Sequence, residues 1–138
     1  VIGVDRSAEM LEAAQARCEG MDHIEFREGH LEALPLDDST IDLAVLSLVL
    51  HYLVDPRLAL REAARILAPG GRLIVVDARA HDRAELVDEM GHQWPGFDAD
   101  RMTLWLTEAG LEPGPWQPLA PDPEGRGPLL FVQTARRR

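Results

Sequence analysis

Short apolar runs that predict β-strands alternate with stretches that predict helices along the first 77 residues. The strand-like runs are Val1–Val4, Ile24–Phe26, Ile41–Ser47 and Arg72–Asp77. A strand followed by a helix and a second strand forms a right-handed crossover, and repeated crossovers build a parallel sheet. We therefore expect an α/β fold with a mostly parallel sheet and flanking helices.

Capping residues mark the beginnings of the helices. Ser7 precedes one predicted helix, and Asp55 precedes another whose first residue is a proline. The pattern also predicts a helix from Asp82 to near Gly91, and one that begins after an Asp98 cap.

The C-terminal part follows a different pattern. Trp116–Leu119 and Leu129–Ala135 are strand-like, and the residues between them are rich in proline and glycine. Two strands joined in this way are typical of an antiparallel pair. Because no linker or repeat interrupts the sequence, we expect one domain over residues 1–138.

The amino-acid composition of the chain argues against some classes of binding partner. The formal net charge is −10, which disfavours a broad contact with nucleic acid or an anionic membrane. All 14 basic residues other than histidine are arginines, so no lysine is available as a Schiff-base or phosphate-loop residue. No apolar run approaches the ~20 residues of a membrane span. We expect a cytoplasmic protein that binds a small molecule.

Parallel sheets bind ligands beyond the carboxyl ends of their strands. In this sequence those ends lie at Asp5, at Gly29 and His30, at Ser47 and at Asp77. An acidic residue that ends a strand before a capped helix can accept hydrogen bonds from both hydroxyls of a ribose. Asp5 is the candidate for that role.

Five segments in this order resemble the class I S-adenosylmethionine-dependent methyltransferases. The resemblance is closest to the small-molecule, quinone-biosynthesis-like branch, which also occurs fused to ArsR-type winged-helix regulators. It implies a Rossmann-like fold and S-adenosyl-L-methionine as cofactor. The matching segments are Val1–Leu11, Glu32–Leu36, Ile41–Ser47, Leu50–Leu53 and Ile66–Leu73.

The resemblance also implies roles for individual residues. Asp5 would bind the ribose hydroxyls, and Arg6 would follow it along the adenosine. Met10 and the backbone of Leu31 would lie at the adenine. The methionine end of the cofactor would be lined by Ser47, Leu48 and Val49.

Two departures from the family pattern stand out. His30 occupies the place where the family usually has an aspartate that accepts from the adenine amino group. The glycine-rich loop, which follows a first strand in the family, does not occur in these 138 residues. We therefore expect an N-terminally incomplete methyltransferase domain that lacks the first strand of the family fold and binds cofactor poorly by itself.

The expected reaction is methyl transfer to a small-molecule acceptor held in line with the sulfonium methyl group. His51 follows the Ser47 strand and is the candidate general base, although packing over the strand end, together with Tyr52, is the more ordinary role for it. His81 and Asp82 are candidates for the acceptor pocket, and residues 81–97 for acceptor specificity. The five histidines lack the spacing of a metal site, so no metal is expected.

Two other functions remain open. The chain could be a non-catalytic remnant or ligand-sensing domain of a regulator, with a winged-helix domain upstream. A nicotinamide-dependent oxidoreductase would share the acidic residue after its second strand, but the commonest hydride-transfer site of this fold requires a lysine.

Overall fold

The computed structural model describes residues 1–81 and 91–138. The chain divides into two compact units, Val1–Asp37 and Asp38–Arg138. The helix predicted from Asp82 to near Gly91 lies outside the described residues, as do Asp82 itself and most of the predicted acceptor segment. The single domain over residues 1–138 stays a prediction.

The first unit is a strand–helix–strand motif. Strand β1 (Ile2–Asp5) is followed by helix α1 (Ala8–Arg17) and strand β2 (Glu25–Glu28). The two strands are parallel, and Asp5 lies opposite Glu28. Ser7 caps α1, because its hydroxyl accepts a hydrogen bond from the Met10 N–H at 3.3 Å. The predicted crossover is confirmed.

The second unit contains a four-stranded sheet in the order β3-β4-β6-β5. Strands β3 and β4 are parallel, whereas β6 is antiparallel to both β4 and β5. The α/β class and the antiparallel C-terminal pair are therefore confirmed. The elements are β3 (Ile41–Ser47), a 3₁₀ turn (Leu50–Tyr52), α2 (Pro56–Ile66), β4 (Leu67–Ala78), α3 (Ala99–Glu108), β5 (Leu111–Pro118) and β6 (Leu130–Arg137).

Strand β4 begins at Leu67, five residues earlier than the predicted start at Arg72. Leu67 already has extended backbone angles, with φ −67° and ψ 133°. Pro69 cannot donate to a helical hydrogen bond and disfavours helical angles in the residue before it. The chain therefore passes from α2 directly into the strand, with no intervening loop.

The core of the second unit is formed where α2 and α3 meet the sheet. Asp55 caps α2 through a 3.1 Å bond from the Arg57 N–H, and Asp98 caps α3 through a 2.8 Å bond from the Arg101 N–H. Both predicted caps are confirmed. Large apolar side chains with no exposed surface fill the core, namely Leu60, Leu67, Leu73, Val75, Phe97, Met102, Leu106 and Phe131.

An apolar run such as Ile41–Ser47 predicts a buried strand, but one face of β3 is exposed. Leu43 and Val45 are 55% and 56% exposed, whereas Leu46 is buried. Side chains alternate between the two faces of a strand, so Leu43 and Val45 share the uncovered face. An apolar run alone does not reveal how many faces of a strand are covered.

None of the described helices is both long enough and apolar enough to cross a membrane.

Truncation of one core leucine should destabilise the second unit much more than truncation of its neighbour on α2. Leu60 is fully buried, and Leu58 is 40% exposed. We expect Leu60→Ala to lower the free energy of unfolding by about 2–5 kcal/mol. Leu58→Ala should change it by about 0.5 kcal/mol or less. Urea denaturation measures both, and equal losses would contradict the packing of α2.

Candidate functional site

The carboxyl ends of β1 and β2 lie at one edge of the first unit, because the two strands are parallel. Asp5 is half-buried at this edge, and its Oδ1 accepts a 2.8 Å hydrogen bond from the Ser7 N–H. This bond fixes the orientation of the carboxylate. Among the described residues no donor bonds Oδ2, which can therefore accept from a bound hydroxyl.

The other predicted residues of the first unit lie close to this edge in sequence. Arg6 follows Asp5 directly and is exposed, and Met10, in the first turn of α1, is 59% exposed. His30 and Leu31 follow the end of β2, which is tied to β1 by a 3.0 Å bond from the Gly29 N–H to the Asp5 carbonyl. The His30 side chain is exposed, so a bound molecule could reach its imidazole.

Gly29 has a packing role at this edge. A Cβ atom at position 29 would lie 2.7 Å from Cδ of Pro35, which is closer than van der Waals contact permits. Arg27 supports the same loop, because its guanidinium donates to the Pro35 carbonyl at 2.9 Å. The loop that carries His30 and Leu31 is thus held against the end of β2.

The second unit has a comparable edge at the carboxyl ends of β3 and β4. Ser47 ends β3, and Leu48 has a left-handed backbone with φ +56°. A leucine in this conformation is strained, and such strain is concentrated at functional sites. The Leu48 N–H donates to the Val76 carbonyl at 2.8 Å, and this bond joins the residue to β4.

The predicted residues at this edge differ in exposure. Ser47 and Leu48 are exposed, and Val49 is half-buried. The three residues follow one another at the carboxyl end of β3, and Leu48 is still bonded to β4. The structure thus brings the three residues together at one position of the second unit.

A buried carboxylate–imidazole pair lies next to these residues. His51 Nδ1 is 2.5 Å from Oδ1 of Asp77, and the two side chains are 4% and 0% exposed. Asp77 also accepts from the Leu50 N–H on Oδ2 at 2.9 Å and from the Ala78 N–H on Oδ1 at 2.7 Å. The carboxylate therefore has three partners, two of which are backbone donors.

These contacts determine the tautomer of His51. Hydrogen bonds from backbone N–H groups favour an ionised carboxylate, and an ionised carboxylate can only accept. Nδ1 of His51 must then donate to Asp77, which leaves the lone pair of the neutral imidazole on Nε2. Within the described chain no partner bonds Nε2. Nε2 is therefore the nitrogen through which a neutral His51 can act as a general base.

His92 packs against this pair. Its ring centroid is 4.0 Å from that of His51, and the ring of Tyr52 is 4.1 Å from His51 on another side. The Gln93 N–H donates to the His51 carbonyl at 2.7 Å, and this bond holds the segment in place. Burial, and secondarily the neighbouring His51 and His81, lower the pKa of His92 below its ordinary value. Its Nδ1 is enclosed and has no partner among the described residues.

Two functional candidates were missed at the sequence level. Asp77 was recognised as a strand end but was given no role, although an acidic residue that ends a strand beside the His51 segment was a usable signal. His92 lies outside the regular elements, and no local pattern marks it. The predicted pocket residue His81 is half-buried, and its N–H donates to the Pro95 carbonyl at 2.8 Å.

Metal binding receives no support from the described residues, among which no group of three or more histidine, cysteine or acidic side chains could hold an ion. The polar groups at these strand ends suit a nucleoside and an amino-acid group better than they suit a metal ion. Asp5 offers a fixed carboxylate to hydroxyls, and Leu48, directly after the end of β3, has a left-handed backbone. In the first unit, the oriented carboxylate of Asp5 fits the ribose hydroxyls of S-adenosylmethionine.

The lowered pKa of His92 predicts a pH-dependent stability. Below about pH 6.5 the unfolded chain takes up a proton at His92 that the folded chain resists, so the free energy of unfolding falls as the pH falls. The stability advantage of the wild type over His92→Gln should therefore shrink between about pH 8 and about pH 5. Urea denaturation at both pH values tests this, and an advantage that grows on acidification would contradict the burial of a neutral His92.

Comparison with known sequences identifies the family to which this chain belongs. The model of the family described as "Methyltransferase domain" matches residues 1–75. The demethylmenaquinone methyltransferase of Clavibacter sepedonicus is 38% identical, over 80% of this chain and 56% of that protein. The uncharacterized methyltransferase YcgJ of Bacillus subtilis is 36% identical, over 66% of this chain and 37% of that protein. The chain thus spans less than two thirds of the length of these relatives.

Solved structures show the same fold. A Haloferax volcanii methyltransferase in complex with the Trm112 activator matches 98% of this chain and 70% of its own, with a TM-score of 0.84 and 21% identity. A SAM-dependent methyltransferase of Thermotoga maritima matches 99% of this chain and 72% of its own, with a TM-score of 0.82 and 25% identity. The family match and the shared fold together show that this chain belongs to the class I S-adenosylmethionine-dependent methyltransferases.

Proposed function

We propose that the protein carrying this chain transfers a methyl group from S-adenosylmethionine to a small-molecule acceptor. The observation that best supports this function is the carboxylate of Asp5, which the Ser7 N–H orients and which keeps Oδ2 available. A ribose offers two neighbouring hydroxyls to such a group. The family match includes Asp5 and continues through the end of β3.

The proposed cofactor contacts are given for each unit by itself. In the first unit Asp5 accepts from the ribose, Arg6 lies along the adenosine, and Met10 and Leu31 contact the adenine. His30 accepts from the adenine amino group through a neutral ring nitrogen, in place of an aspartate. In the second unit the methionine end of the cofactor is held by Ser47, Leu48 and Val49.

When bound, S-adenosylmethionine supplies an electrophilic methyl group on a sulfonium sulfur. The residues of the chain then have to position the acceptor, exclude water and accept a proton where the acceptor loses one. We assign the proton to Nε2 of His51, because Nδ1 faces Asp77. Positioning supplies most of the rate, and the base contributes where the acceptor is protonated.

The acceptor and partners of the whole protein are part of the proposal. Relatives include enzymes named for demethylmenaquinone and for arsenite, so small molecules of different chemistry are substrates within this family. We propose a small-molecule acceptor and no nucleic-acid or membrane partner for this domain. An upstream winged-helix domain and the cytoplasmic location stay predictions.

Loss of the free carboxylate oxygen at position 5 should weaken cofactor binding. Asp5→Asn keeps an oxygen for the Ser7 N–H but replaces the other acceptor with an N–H₂ donor. We expect the Kd for S-adenosylmethionine to rise by about tenfold or more, as for a lost hydrogen bond to a charged group. Isothermal titration calorimetry on the protein as its gene encodes it measures the change.

Asp22→Asn is the matched control, because Asp22 is an exposed residue of the turn before β2. It should bind S-adenosylmethionine like the wild type. Equal affinity of the Asp5→Asn variant and the wild type would contradict the role of Asp5. Binding of a nicotinamide dinucleotide in preference to S-adenosylmethionine would support the oxidoreductase, and cofactor binding without turnover of any acceptor would support a ligand-sensing domain.

A further inference from the structure

We propose that the second unit has a further ligand site, in which Arg72 and Arg136 bind the phosphate group of a small anion. The site lies on the sheet face that carries Arg72, Thr134 and Arg136, which we call the arginine face. Because side chains alternate along a strand, this face is opposite to the one that buries Leu73 and Val75. The site goes beyond methyl transfer and does not depend on it.

The two arginines oppose each other without a counter-charge. Arg72 and Arg136 are register partners on the antiparallel strands β4 and β6. Such partners project from the same face with Cβ atoms about 4.5–5.5 Å apart, and like charges in this arrangement destabilise a sheet. Among the described residues no carboxylate bonds either guanidinium. An anion held by both groups would remove the repulsion.

A neighbouring carboxylate does not supply this anion. Glu112 lies opposite Arg136 on β5, but its Oε1 accepts a 2.5 Å hydrogen bond from Nε of Arg138. Three arginines therefore share one carboxylate at this end of the described sheet. The whole chain has a net charge of −10, so the positive charge of the arginine face is a local feature that can attract a small anion.

The arginine face has room for such an anion. An open cavity of about 280 Å³ is lined by Arg72, Arg136, Thr134 and Gly114, among others. A Cβ atom at position 114 would lie 2.4 Å from Oγ1 of Thr134, so a glycine is needed to leave that hydroxyl in place. Within the described chain the Thr134 hydroxyl has no hydrogen-bond partner, and it can donate to a ligand in the cavity.

The guanidinium of Arg136 extends towards the start of β4. Its Nη2 lies 3.9 Å from the position that a Cβ atom of Gly70 would take, and Gly70 precedes Arg72 by two residues. This end of β4 is remote from the candidate methyl-transfer residues of the second unit. Arg72 precedes Asp77 by five residues, which is roughly 16 Å along an extended strand.

A phosphate group fits these donors better than a carboxylate does. It carries a charge of about −1.5 to −2 near neutral pH, which balances two guanidinium groups. Its oxygens can accept from two planar guanidinium groups and from one hydroxyl at the same time. The cavity is smaller than the range of about 300–1,000 Å³ that is typical of ligand pockets. This favours free phosphate or a small phosphate monoester over a nucleotide.

Titration of the protein as its gene encodes it with inorganic phosphate tests the site. The buffer is free of other phosphate, the pH is mildly alkaline, and the ionic strength is held constant so that general screening does not change. We expect saturable binding by isothermal titration calorimetry. Acetate at the same ionic strength should bind more weakly, because it carries one negative charge.

Variants of the two arginines connect the binding to the arginine face. Arg72→Gln and Arg136→Gln should each raise the Kd for phosphate by about tenfold or more, as for a lost hydrogen bond between charged groups. Thr134→Val should raise it by roughly threefold, as for a lost neutral donor. Arg61→Gln is the matched control, because Arg61 is exposed on α2 and its loss changes the net charge equally. This control should bind phosphate like the wild type.

Thermal unfolding shows whether each variant is folded and gives a second readout. Phosphate should raise the unfolding temperature of the wild type and of Arg61→Gln, because it binds the folded chain. It should not raise that of Arg136→Gln. Without phosphate, Arg136→Gln should unfold at the temperature of the wild type or above it, since one of the two opposed charges is gone.

Glycerol 3-phosphate distinguishes the two sources of a phosphate group. Tighter binding of this monoester than of inorganic phosphate assigns the site to small phosphate monoesters, and weaker binding assigns it to free phosphate. The proposal is overturned if the wild type binds neither anion, or if Arg72→Gln and Arg136→Gln both bind phosphate like the wild type. It is also overturned if Arg61→Gln weakens binding as much as they do.

Discussion

The carboxylate of Asp77 is the contact on which the candidate site of the second unit depends. A buried charge is tolerated only when it is paired and hydrogen-bonded, and Asp77 meets that condition with three partners. Those partners belong to the end of β4, to the turn that follows β3, and to His51. One side chain therefore joins the two parallel strands at their carboxyl ends and selects the nitrogen that His51 presents.

Each unit builds its edge from the same local elements. A parallel strand, β1 or β3, ends at a polar residue, and a helix or a helical turn begins three residues later. In the first unit the Ser7 N–H orients the carboxylate of Asp5, and in the second unit the N–H of the left-handed Leu48 bonds to β4. Ligand binding at strand ends thus follows from local hydrogen bonds together with the parallel pairing.

Features that depend on neighbouring residues were predictable from the sequence. Ser7, Asp55 and Asp98 cap helices as expected, because a cap needs only a short polar side chain and the N–H groups next to it. The order of strands and helices and the antiparallel C-terminal pair were predictable for the same reason. The location of Asp5 at a strand end followed from the apolar run before it.

Features that depend on distant residues were not predictable. Asp77 and His51 are 26 residues apart, and their contact exists only because β3 and β4 pair in parallel. His92 contacts the His51 ring from a segment whose sequence has no helix or strand pattern. The exposure of Leu43 and Val45 likewise depends on which face of β3 is covered, and an apolar run carries no information about that.

A measurement of the His51 tautomer is the most direct test of the proposed contact between His51 and Asp77. Long-range ¹H–¹⁵N NMR spectra of the ¹⁵N-labelled protein distinguish a protonated from an unprotonated ring nitrogen, and the His51→Gln variant assigns the signals. Under mildly alkaline conditions we expect a proton on Nδ1 and none on Nε2. A neutral His51 that carries its proton on Nε2 would show that Asp77 does not accept from the imidazole, and would contradict the proposed site.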